Sequence, residues 1–110
     1  MRNDTRYYSS KQEKRVAKAI GGKQVANSGA TRFDKGDVKT DEWLIECKTC
    51  TSPKSSMSVK KEWLTKNEEE AFAMKRSYSA ISIDFGQDDN YYIINEKLFK
   101  MLVNALHDDN

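Results

Sequence analysis

With 110 residues the chain has material for one modest core and too little for several domains. A third of the residues are charged and mean hydropathy is −0.85, yet Phe, Trp and Tyr make 10%, which argues against disorder. No apolar run approaches the ~20 residues of a membrane helix, the polar start has no signal-peptide core, and Cys47 and Cys50 are too few for a disulfide scaffold, so a reduced, cytoplasmic protein without a membrane partner is expected.

In chain order, residues 1–8 show no periodicity and read as a flexible arm. Val16, Ala17 and Ile20 then recur at helical spacing and stop at Gly21-Gly22, which predicts a helix over 10–20 with a glycine C-cap. KQVANS (23–28) is a short strand candidate, and GATRFDKG reads as a loop. DVK and WLIECKT flank TDE at hairpin spacing, predicting strands near 36–39 and 43–49, the second bulky enough to be central. CTSPKSSMS holds the one proline and four serines, an exposed loop with Ser58 as N-cap. A helix over 59–77 follows, its face set by Leu64, Ala71, Met74 and Tyr78. AISIDF (80–85) and YYII (91–94) form a hairpin through GQDDN, and a last helix covers 95–106. Helix, three strands, helix, two strands, helix predicts one α/β domain with a central mixed sheet flanked by helices.

Charge is divided along the chain. Residues 1–66 carry 15 Lys/Arg against 8 Asp/Glu, a balance of +7, whereas 67–110 carry 4 against 9, a balance of −5. Either the first part faces a polyanion or the clustering is accidental.

Asp37, Glu46 and Lys48 stand out as a chemical set. Side chains alternate along a strand, so Glu46 and Lys48 share a face while Ile45 and Cys47 point the other way, and an Asp on the neighbouring antiparallel strand reaches Glu46. Two adjacent carboxylates repel unless a cation lies between them, and oxygen-only donors favour Mg²⁺ or Mn²⁺ over zinc. The bland alternative for Asp37 and Lys48 is a solvated hairpin with a cross-strand ion pair. Cys47 and Cys50 read as one core and one loop thiol, because a redox C-x-x-C needs a helix N-terminus to lower a thiol pKa.

The pattern GDV, hairpin, ECK resembles the PD-(D/E)XK nuclease superfamily, with Gly36 where that family often has proline. Over roughly residues 10–85, with its N-terminal helix and NSGATRFDKGD loop, the chain further resembles the archaeal-type Holliday junction resolvases. The resemblance implies a restriction-endonuclease-like fold and catalytic roles for Asp37, Glu46 and Lys48. It also implies a glutamate from the first helix, here Glu13, a serine before the aspartate, here Ser28, and a backbone carbonyl ligand at Cys47. Glu13 has a competing reading as the last residue of an S-x-x-E capping box begun by Ser10, although it shares a helical face with Val16 and Ile20. Ser28 has one as a turn residue.

The expected activity is Mg²⁺-dependent phosphodiester hydrolysis of branched DNA by a homodimer, without a nucleotide cofactor. Phosphate contacts are assigned to Lys23, Arg32, Lys35, Lys54, Lys60 and Lys61. Two alternatives remain open, a monomeric nuclease of the same superfamily cutting flaps or duplexes, and a catalytically silent DNA-binding module. The homodimer rests on one active site per chain against two strands to cut, and on the 98–106 helix, LFKMLVNAL, whose apolar residues wrap further round than one core covers; the alternative is that the N-terminal arm with Tyr7 and Tyr8 covers that helix.

Overall fold

A computed structural model describes residues 5–25 and 37–108. The elements are α1 (Thr5–Ile20), β1 (Lys23–Gln24), β2 (Asp37–Lys39), β3 (Trp43–Thr49), α2 (Lys61–Ala73), β4 (Tyr78–Asp84), β5 (Asn90–Ile93) and α3 (Glu96–Asp108). The strands make one sheet in the order β1-β2-β3-β4-β5. Only β3 and β4 run parallel among these pairs, and a parallel pair needs a crossover, which α2 provides. The α/β class, the mixed sheet and the element order agree with the sequence reading.

The sheet has two distinct faces. Val16 of α1 packs with Val38, Ile45, Cys47 and Ala80 on one. By alternation Leu44, Glu46 and Lys48 take the other, where Asn67 of α2 donates to the carbonyls of Leu44 (3.3 Å) and Ala80 (3.1 Å). Covered on both sides, β3 and β4 carry Leu44-Ile45 and Ala80-Ile81 as near-continuous apolar runs, as central parallel strands do.

Several boundaries differ from expectation. α1 begins at Thr5, so Tyr7 and Tyr8 are helical and not part of a loose arm, and Glu13 lies mid-helix, where it cannot close a capping box. Gly21 at φ +70 and the Gly22 N–H donating to the Ala17 carbonyl (2.8 Å) confirm the C-cap. α2 starts at Lys61 with Lys60 as N-cap and no side-chain cap bond, which excludes Ser58 from that role. It ends at Ala73, because Lys75 enters the left-handed region at φ 61 and the N–H groups of Lys75 and Arg76 turn back to the carbonyls of Phe72 and Ala71. Tyr78, freed from the helix, opens β4 against the Trp43 ring. Asn95 caps α3 through its Oδ1, which accepts from the Leu98 N–H at 2.8 Å.

Candidate active site

The hairpin register places Asp37 directly opposite Glu46. Opposed residues project to the same face of a sheet, and Lys48, two residues along β3, joins them on the side that α2 covers. Asp37 is 3% exposed and Glu46 5%. That burial rules out the solvated-hairpin reading. The Lys48 ammonium lies 3.0 Å from Glu46 Oε2 and 4.8 Å from the centroid of the Trp63 ring, which α2 contributes from its first turn.

Two carboxylates held side by side at this depth repel each other, and a divalent cation between hard oxygen donors relieves the repulsion. The Asp37–Glu46 pair therefore fits Mg²⁺ or Mn²⁺ in donor chemistry. Among the described residues no group of three or more His, Cys, Asp or Glu side chains is placed so that it could hold a metal ion. A metal here would rest on those two carboxylates, with the Cys47 carbonyl, water and substrate oxygens as further donors; Mg²⁺ commonly keeps such a mixed shell.

Glu13 is buried too, at 6% exposure, but on the α1 side of the sheet. Its Oε1 accepts from Gln24 Nε2 at 3.0 Å, and Gln24 pairs with Val38, whose side chain belongs to the α1 face. The helix thus turns Glu13 inward, as its face predicted, and its charge acts on the same Cys47 thiol as those of Asp37 and Glu46. Ser28, Arg32 and Lys35 lie outside the described residues. Burial, reinforced by the negative charges of Glu13, Asp37 and Glu46, pushes the Cys47 thiol well above the ordinary range, against a smaller opposing effect of Arg15. Cys47 and Cys50 are both free thiols.

Lys54, Lys60 and Lys61 are exposed on the connection that leaves β3 just after Lys48 and enters α2 just before Trp63. This connection is tied to the end of β4: the Cys50 N–H donates to the Asp84 carbonyl (3.0 Å) and the Lys54 N–H to the Phe85 carbonyl (2.9 Å). Gly86, at φ +94, lets the chain pass so close that a Cβ there would stand 2.4 Å from the Ser52 carbonyl oxygen. Asp84 is anchored by Arg15 of α1. Lys23 is exposed on the outer strand opposite Lys39, two residues along from Asp37 and one strand further out.

Four polar or aromatic residues around the site carry no motif and were missed in the sequence. Gln12 is fully buried; its Nε2 lies within hydrogen-bonding distance of the Lys48 and Ser82 carbonyls, both at 3.1 Å, and fastens α1 to β3 and β4. Its spacing of four from Val16 was the available signal. Asn67 does the same from α2, and Arg15 and Trp63 complete the surround. No protein-family model, curated protein or solved structure matches the chain.

Proposed function

We propose that this protein is a metal-dependent DNA endonuclease that hydrolyses phosphodiesters, with the four-way junction as its preferred substrate and a homodimer as its working form. The observation that carries the reading is Asp37 buried opposite Glu46 with the Lys48 ammonium 3.0 Å from Glu46. This is the residue set, in the strand arrangement, that the resemblance to PD-(D/E)XK nucleases implies. Asp37, Glu46 and the Cys47 carbonyl would hold Mg²⁺ or Mn²⁺. When bound, the ion supplies positive charge that neutralises the scissile phosphate and favours ionisation of a nearby water.

The chain's own residues do the rest. Asp37 and Glu46 fix the position of the reaction on one face of two hydrogen-bonded strands, a rigid platform. Lys48, held between Glu46 and Trp63, offers an ammonium to the phosphate oxygens as charge develops on them in the transition state. Lys54, Lys60 and Lys61, exposed between β3 and the first turn of α2, bind the DNA backbone irrespective of sequence. Glu13, buried on α1, remains the further acidic residue that the resemblance implies for this site.

The homodimer reading draws support from α3. Leu98 is buried at its start, whereas Phe99, Met101, Leu102, Val103 and Leu106 are all exposed. A free-standing helix of this length is marginal in water, and a two-fold partner would both cover it and bring a second active site to the second strand of a junction.

Incubation with a synthetic four-way junction, a flap and a linear duplex in Mg²⁺ tests the proposal. Paired, symmetry-related nicks on the junction are expected. Cleavage of flaps or duplex alone would leave a nuclease that is not a resolvase, and equal binding with and without Mg²⁺ and no nick on any substrate would leave a DNA-binding module.

A further inference from the structure

Lysine is an awkward residue to place in a reaction centre. Its ammonium sits on a stem with four rotatable bonds, and holding that stem in one rotamer costs entropy. The Glu46 carboxylate restrains only one side of Lys48, and would itself be drawn toward a metal. Across from it stands Trp63, half-buried, whose ring centroid is 4.8 Å from the Lys48 nitrogen. Indole has the most favourable face among the aromatic side chains for a cation, and its two torsions make it a far stiffer support than a lysine stem. The backbone beneath it is secured as well, since the Trp63 N–H donates to the Lys60 carbonyl at 3.0 Å and α2 packs through Asn67 and Ala71.

We infer that Trp63 is a positioning residue for Lys48: its ring face holds the ammonium over the Asp37–Glu46 platform. The inference rests on the nuclease reading above and deepens it. Trp63 touches no reacting atom. Because it stands in the first turn of α2, two residues after Lys61, DNA bound by that connection presses on the same segment that carries the ring. Trp63 therefore links occupancy of the basic connection to the placement of Lys48.

Two measurements on the full chain test this. The first is the NMR shift of the Lys48 ε-methylene protons, which an indole face moves upfield and which requires no activity. The shift should be present in the wild type, retained in part in Trp63→Phe, and absent in Trp63→Leu. The second is single-turnover cleavage at saturating junction DNA, alongside the dissociation constant. Trp63→Leu should cut about tenfold more slowly, as befits one weakened transition-state contact, with affinity unchanged within about twofold; Trp63→Phe, which keeps an aromatic face, should recover most of the rate. Trp63→Leu cutting at the wild-type rate overturns the inference. So does a loss of affinity with full rate at saturation, which would make Trp63 a DNA contact, and so does an unshifted ε-methylene in the wild type. A wild type that shows the upfield shift but cuts no DNA refutes the nuclease reading and leaves the Lys48–Trp63 contact standing.

Discussion

Among individual residues, Cys47 reports most directly on the environment of the site. Its side chain faces α1 while its neighbours Glu46 and Lys48 face α2, and it feels burial first and the three carboxylates next. The folded state therefore holds the thiol proton more tightly than the unfolded chain does. A group raised in this way contributes its full stability below the ordinary thiol value of 9.0 and loses it as pH rises beyond. Urea midpoints should accordingly fall more between about pH 8 and pH 10 in the wild type than in Cys47→Ala, and equal falls would contradict the assignment. Asp37, Glu46 and Lys48 were legible in the sequence because strand alternation and a hairpin spacing fix who faces whom. Gln12, Asn67 and Trp63 were not, because an amide or an indole gains its role from a partner far away in the chain, as when Asn67 reaches Leu44 and Ala80.

At the level of elements, order and type were readable while ends were not. Glycine at 21–22 and asparagine at 95 announce a helix stop and a helix start by known backbone chemistry, and both stand where expected. The end of α2 carries no such mark. Met74 and Tyr78 continue the apolar spacing, and the turn is made by a lysine in the left-handed region, where a glycine is more comfortable. Lys75→Gly should therefore raise stability by about 0.5–1 kcal/mol, read as a higher melting temperature, with the structure unchanged. A lower melting temperature would mean that the lysine side chain has a stabilising role of its own. The start of α1 was missed for a related reason: TRYYSS has weak periodicity, so its helix follows from continuity with the packed turn at Gln12, Glu13 and Val16.

On the scale of the whole molecule, the basic part of the chain supplies β1, β2 and β3 of the one sheet and the acidic part supplies β4 and β5. The basic residues of the β3–α2 connection follow Lys48 in the chain, whereas the acidic part ends in α3, whose Phe99 and Leu106 are 57% and 70% exposed. No helix among the described residues is long and apolar enough to cross a membrane. Tyr7 and Tyr8 belong to α1 and so form no loose arm over α3. If two copies meet through α3, light scattering at micromolar concentration gives twice the chain mass, and the double variant Phe99→Glu/Leu106→Glu gives a monomer. A wild-type monomer would remove the two-fold arrangement and leave a nuclease acting on one strand.

The proposed reaction is metal-assisted phosphodiester hydrolysis at a buried carboxylate pair. Its most direct test is cleavage of a four-way junction in Mg²⁺ by Asp37→Asn and Glu46→Gln, measured together with junction binding. Each variant keeps the shape of the side chain and removes the charge proposed to hold the ion, while the lysines proposed to contact the DNA backbone are untouched. The predicted result is loss of cleavage in both, with binding within a few-fold of the wild type; either variant cutting at close to the wild-type rate would contradict it.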